Sequence, residues 1–167
     1  IAASNDRVVV HQALKHLIVG GNALIFMGKE GLKHYPLNRY VVNRDGNGEV
    51  LEIITKESVS KELLNMKNFE PKPNRVQDES SQHADEVDVY THVKLDNGRR
   101  RWHQECMGKV MDGTKSTAPK NASPWLVLRF NTCDGEDYGR GRVEEFLGDF
   151  RSLEALSQAL VEGSAAA

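Results

Sequence analysis

The chain has 167 residues, 39% hydrophobic and 28% charged, enough for one domain with a buried core. Its 22 Lys+Arg against 24 Asp+Glu leave a net charge of −2, which excludes the strongly basic field of a general nucleic-acid binder. Two cysteines outside any C-x-x-C pair exclude a disulfide scaffold. The longest apolar stretch, residues 17–27, is broken by Gly20, Gly21 and Asn22 and falls short of the roughly 20 residues that an apolar membrane-spanning helix needs.

In chain order, residues 1–21 predict an N-terminal helix. Val8, Val9, Ala13, Leu14, Leu17 and Ile18 recur at helical spacing, Ser4 or Asn5 can cap it, and Gly20-Gly21 ends it. Residues 22–64 predict a first β-hairpin region with a short helix. Residues 22–27 and 37–43 read as strands, 45–48 as a hairpin turn, 49–55 as the return strand and 58–64 as a helical turn. Residues 65–86, polar and containing Pro71 and Pro73, predict a mobile loop.

Residues 87–131 predict a second antiparallel β region. Val87, Val89, Thr91, Val93 and Leu95 alternate with Tyr90 and His92; Asn97-Gly98 closes a hairpin onto 99–106. A short strand is expected around Val110, and the strongest strand signal spans 124–130. A Gly-rich turn over 132–141 leads to a long amphipathic helix over 142–163. There Val143, Phe146, Leu147, Phe150, Leu153, Leu156, Leu160 and Val161 form one apolar stripe. Its first half is expected to pack on the 125–130 strand, making Phe146 a core residue, while Leu156, Leu160 and Val161 outrun the sheet. The class is α+β: helix, mostly antiparallel sheet of about six or seven strands, long C-terminal helix. The chain opens at Ile1 and stops at Ala167 directly after the helical run. Both ends read as cuts, those of an internal piece of a larger protein.

Candidate chemistry is sparse. Gly108 to Ser116 imitates a phosphate loop, but Thr114 separates Gly113 from Lys115-Ser116 and prolines replace the helix that should follow. His11 and His16 are five apart and do not stack as an i, i+4 pair. His92 and His103 face each other across the hairpin with Cys106 nearby in sequence, fewer ligands than a closed zinc site requires. Cys106 and Cys133 lack an activating His-plus-acid arrangement and read as small hydrophobes. Residues 134–137 offer half a calcium loop and read better as a solvated turn. Arg99, Arg100 and Arg101 with Trp102 read first as a charged strand face or edge, and second as a contact to phosphate or an acidic partner. No catalytic, cofactor-binding or metal residue is assigned, and no enzyme is expected.

Three stretches carry a resemblance. They are VHQALKHLIVGGNALIF at 10–26 with the hairpin YVVNRDGNG at 40–48, the strand DVYTHV at 88–93, and DGEDYGRGRVEEFLGDFRSLE at 134–154. They resemble the head-to-tail connector, or portal, proteins of short-tailed, podovirus-type bacteriophages, nearly end to end. The resemblance implies a structural virion protein assembled in the host bacterial cytoplasm into a homo-oligomeric ring, a dodecamer when intact. It implies capsid, scaffolding, terminase and tail proteins as partners. It implies roles in capsid assembly, DNA packaging, genome retention and ejection, and tail attachment, with no cofactor, no membrane and no catalytic residues. By position, the chain corresponds to the wing region leading toward the stem, and these residues alone are not expected to close a ring. Double-stranded DNA would pass without sequence-specific binding. Near-neutral charge suits such a conduit, because each neutralised phosphate strengthens the grip through counterion release. The alternative is a stand-alone α+β binding module that recognises a peptide or acidic partner through the 65–86 loop and the Arg99–Trp102 strand.

Overall fold

The computed structural model describes residues 5–65 and 86–165; the predicted polar loop lies, but for its two end residues, outside the described residues. Helix α1 spans Asp6–Gly20 and ends on Gly21, whose φ of 74° lets its N–H donate back to the Leu17 carbonyl at 3.0 Å. Strands β1 (Asn22–Gly28), β2 (Gly31–Tyr35), β3 (Tyr40–Arg44) and β4 (Val50–Ser60) follow, then a short helix α2 (Lys61–Asn65). After residue 85 come β5 (Glu86–Asp96), β6 (Arg99–Cys106), β7 (Lys109–Val110), β8 (Ser116–Pro119) and β9 (Trp125–Arg129). Two helical segments close the order, α3 (Arg142–Glu145) and α4 (Leu147–Ala165).

The fold is α+β and every strand pairing is antiparallel. The strands divide into two sheets. A three-stranded sheet has the order β2-β1-β9, and a six-stranded one runs β3-β4-β5-β6-β7 with β8 also on β6. The alternation read in β5 is real: Val87, Val89, Thr91 and Val93 are buried while Tyr90 and Lys94 face water. The turn at Asn97 and Gly98 takes positive φ at both residues, 48° and 72°, the geometry that fits the twist of a two-residue hairpin.

The molecule is layered. Leu24, Tyr35 and Trp125 of the small sheet meet Tyr40, Val42, Val50, Ile53 and Val93 of the large one in the main core. On the other face of the small sheet, Ala23 and Ile25 pack on Ala13 of α1, with Leu17, Leu32 and Leu128 around them. This sandwiching explains why Asn22, Ala23, Leu24 and Ile25 are all buried despite alternating direction. A separate cluster of Leu64, Val87, Val89, Cys106 and Met111 fills the far end of the large sheet.

Four expectations need correction. The 37–43 strand begins only at Tyr40, after a 3-10 turn over Leu37–Arg39, and its small-sheet counterpart β2 gave no alternating signal. The helical turn expected from Ser58 starts at Lys61, because β4 continues its ladder with β5 as far as Ser60 opposite Glu86. The C-terminal helix is not continuous. It breaks at Phe146 (φ −109°, ψ 22°), where the Arg142 guanidinium lies 5.5 Å from the Phe130 ring and 5.8 Å from that of Phe146. Finally, the stripe does not pack on β9 in its first half. Phe146 and Phe150 are 42% and 50% exposed, and no residue of α4 is buried.

Candidate assembly surfaces and the clasp that positions them

Residues 134–136 of the Gly-rich turn are exposed, as the solvated-turn reading of 134–137 expects, whereas 137–141 turn inward and bond to the rest of the molecule. Gly139 exchanges two hydrogen bonds with the buried Asn22 side chain: its N–H donates to Asn22 Oδ1 at 2.7 Å, and its carbonyl accepts from Nδ2 at 2.7 Å. The same Nδ2 also donates to the Gly20 carbonyl at 2.9 Å. A β-bridge joins Arg140 to Asn131, and the Phe130 N–H donates to the Gly21 carbonyl at 2.9 Å. Gly141 lies so close to the end of α1 that a Cβ there would sit 2.1 Å from the Val19 carbonyl oxygen. Only glycine permits that approach.

Asp137 and Tyr138 reach the large sheet. The Arg44 N–H donates to Asp137 Oδ1 at 2.6 Å and the Val42 N–H to the Tyr138 hydroxyl at 3.1 Å. The Arg44 guanidinium donates to the carbonyls of Asp137 (3.0 Å), Gly48 (2.8 Å) and Val127 (3.4 Å). Burial, then neighbouring Arg129, pulls the Arg44 pKa down, and the carbonyl acceptors offset the cost of holding that charge away from water. Residues 137–141 therefore fasten α1, the small sheet and the outer edge of β3 together. Sequence reasoning missed this clasp; the glycine pairs 20–21 and 139/141 were its trace.

Two helices leave apolar faces in water. On α1, Val8, Leu14, Ile18 and Val19 are about half exposed, and Arg7, Val8, Val10, His11 and Leu14 line a shallow depression. On α3 and α4, Val143, Phe146, Leu147, Phe150, Leu153, Leu156, Leu160 and Val161 are all exposed, rising to 74% at Leu160. Scattered apolar residues on a surface are ordinary, whereas a contiguous stripe of this length marks a contact surface.

The remaining sequence candidates are dispersed. Residues 108–116 run from the β6–β7 turn through β7 to the first residue of β8, with Gly108 and Gly113 facing open space. His11 and His16 lie apart in role: His16 stacks on His34 with centroids 4.8 Å apart, while His11 lines the depression on α1. His92 and His103 are register partners with centroids 5.4 Å apart, but each ring nitrogen Nε2 meets its own carboxylate, Glu52 and Glu105. Among the described residues no three His, Cys, Asp or Glu side chains converge on a metal-sized site. Cys106 lies in the far core, where burial pushes its thiol pKa up, and Cys133 is half-buried; both are free.

Of the basic cluster, Arg100 is buried with Nη1 donating to the Val50 carbonyl at 3.1 Å, and Arg101 pairs with Asp96 at 2.9 Å. The cluster is not a sheet edge either, since β8 pairs with residues 99–102. Arg99 and Arg101 stay exposed on the opposite side of the strand from Arg100, Arg99 donating to the Thr117 hydroxyl at 3.3 Å.

The described residues thus form a layered α+β body, held by one loop, with an exposed apolar stripe along α4. The whole chain, residues 1–167, matches the family described as bacteriophage head to tail connecting protein, and it belongs to that family. It is 39% identical to the portal protein of Escherichia phage T7 and 41% identical to that of Enterobacteria phage T3, over 98% of this chain in each case. The portal protein of Pseudomonas phage phiKMV is 31% identical over 91% of the chain. The chain spans about a third of the length of these relatives: 32% of the first two and 30% of the third. No helix among the described residues is long and apolar enough to cross a membrane.

Proposed function

We propose that this chain acts as part of a portal ring, the connector between head and tail of a short-tailed bacteriophage. The observation that carries the reading is the match to portal proteins along its entire length. In this role the chain is a structural virion component with no catalytic residues. It works as one of the identical subunits of a ring, a dodecamer, assembled in the host cytoplasm. Capsid, scaffolding, terminase and tail proteins are its partners, and double-stranded DNA crosses the ring during packaging and ejection.

The physical features support a frame rather than a grip. A net charge of −2 and a basic cluster occupied by internal partners leave little to neutralise phosphates, so DNA can move without strong retention. The rigid clasp suits a body that must transmit load. The binding-module alternative keeps only part of its basic anchor, because Arg100 is buried while Arg99 and Arg101 stay exposed.

An antibody raised against this chain tests the reading directly. Immunogold labelling of purified virions is expected to mark a single point at the head–tail junction. Labelling spread over the head, or virions free of the chain by mass spectrometry, would overturn the proposal.

A further inference from the structure

Three arginines from three strands converge where the β3–β4 turn meets β9. Arg44 Nη1 donates to the Gly48 carbonyl at 2.8 Å, and Arg100 Nη1 donates to the Val50 carbonyl at 3.1 Å. Arg129 reaches the same glycine from β9: a Cβ on Gly48 would lie 2.8 Å from its Nη2. Each guanidinium carries five N–H donors. Backbone carbonyls take three from Arg44 and one each from Arg100 and Arg129. Arg100 is 8% exposed, and its Nε is buried with no hydrogen-bond partner. Among the described residues none of the three forms a salt bridge. The acids beside them are engaged: Glu49 pairs with Lys120 at 2.6 Å, and Asp137 Oδ1 accepts the Arg44 backbone N–H at 2.6 Å. Burial and then Arg129 lower the Arg44 pKa, with Arg100 acting in the same sense. Charge withdrawn from water calls for an opposite charge, and crowded like charges call for it more strongly.

We propose that Arg44, Arg100 and Arg129 form a binding site for a small tetrahedral oxyanion, inorganic phosphate or sulfate, between the β3–β4 turn and β9. The inference is independent of the ring reading. Chemistry selects the class of ligand. A divalent oxyanion offsets the excess of guanidinium charge, and its oxygens accept the N–H donors that the carbonyls leave over. Burial selects its size. Arg100 lies in the interior, and Arg44 and Arg129 are only partly exposed. A free ion can reach such groups, whereas phosphates fixed along a duplex backbone cannot. The ion is therefore a tie within the subunit and not a grip on DNA. It joins the turn of the large sheet to β9 of the small one, beside the 137–141 clasp.

The test melts the chain in chloride, sulfate and phosphate at one pH and one ionic strength. Phosphate and sulfate are expected to raise the midpoint above that in chloride by about 3–6 °C at ten times the dissociation constant. Calorimetric titration with sodium phosphate is expected to give one site per chain. Arg129→Gln and Arg100→Met should each weaken that binding about ten-fold or more, with far-UV circular dichroism reporting the fold. Arg101→Gln, on the opposite side of β6, should leave it unchanged. The variants also separate the site from the general salting-out action of these anions, which they leave intact. Should Arg100→Met fail to fold, the half-buried Arg129→Gln carries the comparison. Equal midpoints in the three salts would overturn the site. Binding that persists in Arg129→Gln would mean an adventitious ion only, and would overturn it too. Short duplex DNA in chloride, at the same phosphate concentration, is expected to leave the midpoint where it is. Stabilisation by DNA that matches free phosphate and vanishes in Arg129→Gln would overturn the small-ion assignment.

Discussion

Asn22 carries a carboxamide into the boundary between two layers, where it is 5% exposed and answers both the N–H and the C=O of Gly139. Removing it strands two buried backbone groups, each costing about 1–3 kcal/mol when unpaired. Asn22→Ala is therefore expected to lower unfolding stability by about 2–4 kcal/mol in urea titrations, far more than an exposed Asn→Ala change. His34 offers a second single-residue prediction. Burial, followed by the neighbouring His16, holds its pKa below the ordinary 6.5, and its Nε2 has no hydrogen-bond partner. The folded state thus resists protonation that the unfolded chain accepts, so stability rises with pH in this window. The contribution is intact above about pH 6.5 and is lost as pH falls below it toward the lowered folded value. His34→Gln should reduce the stability difference between pH 7.5 and pH 5, measured by denaturant melts; an unchanged difference would mean that other groups set the acid limit.

At the scale of elements, local chemistry announced the hairpins and the β5 strand, because turn residues and period-two burial are written into a few adjacent positions. Strands β2 and β8 were silent for a physical reason. Gly31 to Tyr35 has one buried side chain, and Ser116 to Pro119 has none; each is a strand because a stronger neighbour offers its edge. The clasp was equally silent, since its bonds join Asn22 to Gly139 across 117 positions. The C-terminal helix misled in another way. Its stripe is real, but a stripe states only that something will cover it, and here that something is not the sheet. The consequence is measurable. Phe146→Ala, expected from sequence to open a core cavity, should cost less than about 1 kcal/mol at 42% exposure. Ile53→Ala, at 0% exposure in the shared core, should cost about 3–4 kcal/mol. Comparable losses in thermal melts of the two variants would show that Phe146 is buried in solution.

Across the whole molecule, the outer edge of β3 poses a general hazard, because free N–H groups on a sheet edge invite another chain to pair. Here the edge is answered by side chains of one loop: Val42 N–H by Tyr138 and Arg44 N–H by Asp137. The same loop holds Asn22 at the start of β1 and bridges Asn131 beyond the end of β9, so edge protection and the joining of layers are one device. Tyr138→Phe deletes one neutral acceptor and should cost about 1 kcal/mol, with amide exchange at Val42 faster by the corresponding factor of about five. Asp137→Ala removes a charged acceptor at 2.6 Å and should cost about 2 kcal/mol. If the loop couples the layers, Asp137→Ala will also speed exchange at Gly139 and at the start of β1, none of which Asp137 touches. Exchange that rises only at Val42 and Arg44 would reduce the loop to a local cover. The layers would then be held by the shared core of Leu24, Ile53, Val93 and Trp125 alone.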